Sequence, residues 1–197
     1  MTKMRTINGK RTKSSMSKLD QQIVQHLEPL LQGIVLAIDP SSGSEKSQPG
    51  YALFDHGQLV DSGLVRIRSG DALSNRLHRL AASLREDFPQ PHVVITENIP
   101  PFMGEGNAAK FATRNVISLH QSIGVVMSVW DAPVLLVSPR TWRSHIPDNY
   151  FKSDENDAIM IGWTVLKKSK EYADREPMVF DQLLLTKLTT GKWSENA

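Results

Sequence analysis

Ile34-Val35-Leu36-Ala37-Ile38-Asp39-Pro40 is a continuous apolar run closed by an acid and a proline. Five apolar residues without alternation predict a strand buried on both faces, with Asp39 at its carboxyl end. Downstream, Pro40 to Pro49 is rich in Ser, Gly and Pro and reads as a turn. Gly50-Tyr51-Ala52-Leu53-Phe54 is a second strand, Asp55-His56-Gly57 a hairpin turn, and 58–67 a third strand. The links are too short for crossovers, so these three strands are expected to pair antiparallel.

Beyond them the period changes. Leu73, Leu77, Leu80, Leu84 and Phe88 recur at helical spacing, after Asp71 and before Pro89. Val93-Val94-Ile95-Thr96 is a fourth strand ending in Glu97, followed by a loop holding Pro100, Pro101, Gly104 and Gly106. Ala112, Val116, Leu119, Ile123, Val126 and Trp130 mark a long helix, and Val134-Leu135-Leu136-Val137 a fifth strand. After an irregular stretch, Ser153 opens a helix to about Lys168, and 178–188 suggests one more short helix. Upstream, 18–32 reads as a short helix with Ile23, Val24, Leu27, Leu30 and Leu31 on one side. The order β-β-β-α-β-α-β-α describes an α/β fold in which three antiparallel strands lead into two parallel ones joined by right-handed crossovers.

The chain has 197 residues, 40% hydrophobic and 22% charged, which suits one globular domain and excludes a wholly disordered or fibrous chain. No apolar run approaches the roughly 20 residues of a membrane-spanning helix, so no membrane partner is expected. With no Cys there are no disulfides, thiolate zinc sites or Cys nucleophiles, and any metal must sit on oxygen or imidazole. The net charge of +2 is uneven: Lys3, Arg5, Lys10, Arg11, Lys13 and Lys18 precede the first acid, which leaves 17 basic against 21 acidic residues in the rest. A basic arm on a mildly acidic body fits nucleic-acid contact and equally a solvated terminus. An organellar presequence fits less well, because the segment has little amphipathic character. The expected division is a basic extension over 1–33, a core over 34–170 and a tail over 171–197.

Four carboxylates stand out by position: Asp39 and Glu97 at strand ends, and Asp154 and Asp157 at the start of the last helix. If the first and fourth strands are neighbours, Asp39 and Glu97 share one edge of the sheet, where α/β folds place their sites. Asp154 and Asp157 are three apart and continue into Ala158, Ile161 and Val165, so they form the first turn of the buried stripe. Singly, Asp39 reads as a turn cap, Glu97 as a loop acid and Asp154 as a complement to the helix dipole after a Ser153 cap. An unpaired Asp157 deeper in the stripe would be costly. The joint pattern favours chemistry. Carboxylates converging without a basic partner repel, and burial raises their pKa values. Two divalent cations resolve this, and hard oxygen ligands select Mg²⁺ or Mn²⁺. Two such ions about 4 Å apart suit phosphodiester cleavage.

At these residues the sequence resembles the RuvC-type Holliday junction resolvases. The resemblance lies in Ala37-Ile38-Asp39-Pro40-Ser41 with Gly50-Tyr51-Ala52, in Leu59-Val60-Asp61-Ser62-Gly63, in Ile95-Thr96-Glu97-Asn98, and in Lys152-Ser153-Asp154-Glu155-Asn156-Asp157-Ala158-Ile159. It runs from about Ile34 to Lys168. It implies a ribonuclease H-like fold with a five-stranded mixed sheet, a homodimer, and Mg²⁺- or Mn²⁺-dependent cutting of opposing strands of a four-way DNA junction. By position it makes Asp39, Glu97, Asp154 and Asp157 the catalytic metal ligands. The compact size and the link containing Trp142 look more like bacteriophage-type members, which implies the cytoplasm of a bacterial or phage-infected cell. The link over 138–152 is shorter than in cellular members, and the extension before Ile34 is additional.

Secondary features are less specific. Phe102, in the loop after Glu97, reads as a base-stacking aromatic or as an anchor for the next helix. Lys110, Arg114, Arg140, Arg143 and Lys152 are candidate phosphate contacts, each equally readable as a surface charge. His145 in the link reads as structural rather than as a base. The broad apolar face of the long helix (Ile117, Val125, Met127, Val129) suits either core packing or a dimer partner. Competing functions are a flap or branch nuclease of the same fold and a non-catalytic junction-binding protein. An actin-like ATPase would need a second, similar domain, for which the length leaves no room.

Overall fold

The computed structural model describes residues 16–40, 48–67, 72–88, 90–98 and 107–193, with side chains from 116 onward in the last of these. Its sheet holds β1 (Ile34–Asp39), β2 (Gly50–Asp55), β3 (Gln58–Leu64), β4 (Val93–Glu97) and β5 (Val134–Val137), in the order β3-β2-β1-β4-β5. β2 pairs antiparallel with β1 and β3, while β1–β4 and β4–β5 are parallel. This is the five-stranded mixed sheet, three antiparallel strands and two parallel ones, that the sequence led us to expect. β1 lies in its middle, which is why Val35, Leu36, Ala37 and Ile38 are all buried.

Strand alternation divides the core in two. Val35 and Ala37 face one side, with Ala52, Phe54, Val93, Ile95, Leu135 and Val137. α6 (Asp154–Tyr172) lies on that side, flanked by α1 (Lys18–Gln25), α2 (Leu27–Gln32), α5 (Pro139–Arg143) and α7 (Gln182–Thr190). Leu36, Ile38 and Val94 face the other side, packed with Leu80 and Leu84 of α3 (Leu73–Asp87) and Val126 of α4 (Asn107–Ser128).

α6 is more than an amphipathic helix. Its residues are buried without a break from Asn156 to Leu166, because α1, α2 and α5 pack on the sides that the sheet leaves open. Two glycines set its distance from the strands. A Cβ on Gly162 would stand 2.3 Å from the Phe54 ring and 2.9 Å from the Ala37 Cβ. A Cβ on Gly50 would stand 1.8 Å from the carbonyl oxygen of Asp154. The helix therefore lies directly on β1 and β2 at both places. Its first turn is also tied sideways: Glu155 accepts hydrogen bonds from Ser62 Oγ of β3 and Lys187 Nζ of α7, both at 2.7 Å.

The structure corrects several local expectations. The helix expected over 18–32 is two, broken at His26. Pro29 has no N–H for the carbonyl of Gln25, so a continuous helix cannot pass. The third strand ends at Leu64; α3 starts at Leu73 with Ala72 in the N-cap position and no side-chain cap bond, while Asp71 lies outside the described residues. Trp130 falls beyond the end of α4, α6 continues to Tyr172, and the last helix is shifted to Gln182–Thr190 behind an Asp181 cap. The link after β5 is not irregular throughout: Ser138 caps the short α5, its side chain accepting from Thr141 N.

Candidate active site

β1 and β4 run in register, with Ile38 beside Thr96, so Asp39 and Glu97 end their strands level with one another. Asp39 has the parity of Val35 and Ala37, and Glu97 that of Val93 and Ile95. Both acids therefore belong to the face covered by α6. Gly50 pairs with Asp39 and carries the start of α6 against its Cα. This brings Asp154 and Asp157 to the same end of the sheet. Glu97 and Asp157 are each 6% exposed, while Asp39 and Asp154 are partly buried.

The four acids act on one another. Burial holds the Asp39 carboxyl well above the usual carboxylate range, and the negative charges of Asp157, Glu97 and Asp154 push it further, with Arg143 opposing. Burial also raises Glu97, against a hydrogen bond from Trp142 and the charge of Arg143. It raises Asp157 against a hydrogen bond from Tyr150 and the charges of Lys152 and Arg143.

Two partners escaped the sequence reading as site residues. Trp142 Nε1 donates to Glu97 Oε1 at 2.9 Å, and Tyr150 Oη donates to Asp157 Oδ1 at 2.6 Å. Burial and the bond to Asp157 push the Tyr150 phenol far up, so it stays a donor. Trp142 is buried on α5, directly after the strand whose Val137 pairs with Glu97. The available signal was an aromatic with one polar atom, set in the short link that leads into the acidic start of α6; a buried Trp or Tyr usually finds an acceptor.

Among the cations, Arg143 Nη2 stands 3.9 Å from Glu97 Oε1, and Lys152 is exposed near Asp157 and Glu97. Arg140 is exposed on α5. Lys110 and Arg114 lie in the first turns of α4, with side chains outside the described residues, as is all of Phe102. His145 packs edge-on against Trp163 with ring centroids 6.0 Å apart; burial and then Lys167 lower its pKa.

The donor set suits a hard divalent cation, because it consists of carboxylate oxygens whose ionised forms repel one another. As the side chains stand, no three His, Asp or Glu among the described residues converge closely enough to hold one ion. Trp142 and Arg143 both engage Oε1 of Glu97, and Tyr150 engages Oδ1 of Asp157. Among the described residues, each of these acids thus keeps a second oxygen for a further ligand.

No family model and no curated protein matches the chain. Its structure is similar to Thermus thermophilus RuvC in complex with a Holliday junction substrate, at 16% identity and a TM-score of 0.49, covering 74% of this chain and 99% of that one. A second Thermus thermophilus RuvC structure gives 15% identity and a TM-score of 0.47, covering 74% and 99%. The yeast mitochondrial Holliday junction resolvase Ydc2 gives 14% identity and a TM-score of 0.45, covering 79% and 95%.

Proposed function

We propose that this chain is a metal-dependent endonuclease that resolves four-way DNA junctions. The observation that carries the reading is that Asp39 and Glu97 end adjacent strands level with one another at the end of the sheet where α6 begins with Asp154 and Asp157. The junction as substrate rests on the sequence resemblance at these same residues.

Asp39, Glu97, Asp154 and Asp157 would hold two Mg²⁺ or Mn²⁺ ions, which would neutralise the carboxylates and supply Lewis-acid activation for hydrolysis of the phosphodiester. A water oxygen would bond to phosphorus as the P–O3′ bond breaks, one water proton going to O3′ and the other to solvent, leaving a 3′-hydroxyl and a 5′-phosphate. The chain's own contribution is placement. β1 and β4 fix two acids level with one another, and α6 brings the other two to them. Trp142 and Tyr150 hold the rotamers of Glu97 and Asp157. Arg143 and Lys152 present cationic ends to DNA phosphates. Arg140, Lys110 and Arg114 are further phosphate contacts in this reading, and Phe102 stacks on an unpaired base. A homodimer would set two sites on two opposing strands. The proposed setting is the cytoplasm of a bacterial or phage-infected cell.

The test compares Mg²⁺-dependent cleavage of a synthetic four-way junction, a Y-fork, a flap and a plain duplex. Paired symmetric nicks on the junction alone support the reading. Equal cutting of forks and flaps would make the protein a broader debranching nuclease, and tight junction binding without cutting would make it a binding protein.

Tyr150→Phe keeps the ring and removes the donor to Asp157, while Trp142→Phe removes the donor to Glu97 together with one ring of the indole. Hydrogen-bond partners of metal ligands typically carry 10- to 100-fold in metal affinity. Each variant is expected to raise the Mn²⁺ concentration at the midpoint of metal-dependent thermal stabilisation by about tenfold. Unchanged midpoints would confine both rings to packing.

A further inference from the structure

A cavity of about 260 Å³ opens on the β5 side of the acids, and its lining includes Ser17, Lys18, Asn98, Ser138, Thr141 and Lys168. Its lining adjoins the proposed site along the chain. Asn98 follows Glu97 directly, and its backbone N–H donates to Val137 O at 2.7 Å. Ser138 and Thr141 belong to the start of α5, the helix whose Trp142 donates to Glu97. The outer wall is α1, which packs on β5 and α6. That wall comes from the extension before Ile34, outside the stretch that carries the family resemblance.

The charges in this cavity are of two kinds. Lys168 Nζ is engaged by Asp20 Oδ1 at 2.8 Å, and Asp20 also accepts from Ser17 Oγ at 2.7 Å. This arrangement locks α1 to α6 and contributes little net charge. Lys18 is exposed, and among the described residues it has no carboxylate partner. The hydroxyls of Ser138 and Thr141 lie 2.8 Å apart and share one hydrogen bond, so one hydroxyl hydrogen is left to donate outward. The exposed Asn98 amide adds further donors. An unpaired ammonium beside an amide and a hydroxyl is a donor set for anionic oxygen.

We propose that this cavity binds a backbone phosphate of the DNA strand leading away from the cut, with Lys18 as its charge. The proposal rests on the nuclease reading above. A polyanion fits better than a single small anion, because Lys3, Arg5, Lys10, Arg11 and Lys13 precede Lys18 with no acid among them. The positive charge therefore continues along the chain from the mouth of the cavity.

The test uses the full chain and Lys18→Ala, with junction binding measured over a range of salt. Each phosphate contact adds about 0.9 to the slope of log K against log salt on duplex arms. Lys18→Ala is expected to lower that slope by about one and to weaken binding several-fold at moderate salt. Single methylphosphonates, scanned outward from the cut, remove one phosphate charge at a time. One position is expected to weaken the unmodified protein and to cost Lys18→Ala nothing more. An unchanged slope, or equal losses for both proteins at every position, overturns the cavity as a strand contact. Inhibition by inorganic phosphate that is far stronger than by chloride, and is lost in Lys18→Ala, would assign a free-anion site instead and overturn the strand assignment. If the unmodified protein neither binds nor cuts the junction, the nuclease reading falls and takes this proposal with it; if it cuts normally and Lys18→Ala matches it, only the cavity is lost.

Discussion

Asp39→Asn is expected to bind a four-way junction as the unmodified protein does and to lose cleavage by roughly 10³-fold or more, about 4 kcal/mol in the barrier. Asp39 is the acid on which the charges of the other three all act, so removing its charge touches the whole set. The amide keeps the shape and removes the charge. The same change is expected to stabilise the metal-free protein by about 1 kcal/mol, as functional sites often trade stability for chemistry. The pH dependence has a definite sign. Asp39, Glu97 and Asp157 all hold protons more tightly in the folded chain than an ordinary carboxyl does. The native state therefore binds more protons than the unfolded one above the ordinary carboxylate range. Metal-free stability is fully present below that range and falls as pH rises through the raised values. Thermal unfolding between pH 4 and pH 8 is expected to show this decline, Asp39→Asn to flatten it, and saturating Mg²⁺ or Mn²⁺ to reverse it. Retained cleavage would remove Asp39 from the mechanism, and a metal-free stability that rises with pH would contradict the crowding of charge.

Gly50→Ala carries the second large effect. The new Cβ would meet the backbone of Asp154, not a flexible side chain that could swing aside. Either β2 or the start of α6 must move, and α6 is held by Glu155 on two sides and by Gly162 against Phe54. Overpacking of this kind costs about 1–3 kcal/mol. A displacement near 1 Å in a reacting site costs on the order of 10²-fold in rate. Chemical denaturation and junction cleavage, measured on one preparation, are expected to show both losses together. Full activity in Gly50→Ala would mean that the first turn of α6 is not seated on β2.

The sheet was legible because its strands carry period-two or continuous apolar patterns, and Ile34 to Asp39 could only be a central strand. The four acids stood out for a related reason: two close apolar strand runs and two lie three residues apart at the start of a helix, positions that can be read without any knowledge of their contacts. What escaped were features shorter than a period or longer in range than a pattern. Pro139–Arg143 is too short for helical periodicity to register. The break at His26 depends on one missing N–H at Pro29. The bonds from Trp142 to Glu97 and from Lys187 to Glu155 join residues far apart in sequence, and nothing local announces them. The burial of α6 on all sides was hidden because the covering residues, Ile23, Leu30, Leu184 and Leu188, come from the segments flanking the core.

That burial also ties the acids to the integrity of the whole core. Asp39 lies in the first strand, while Asp154 and Asp157 lie in a helix seated on the sheet and covered by α1, α2 and α7. A chain that keeps β1 beside β4 but releases α6 lacks half of its acids. In the proposed reading such a chain is harmless to DNA, and loss of activity on denaturation reports the whole core rather than a frayed edge.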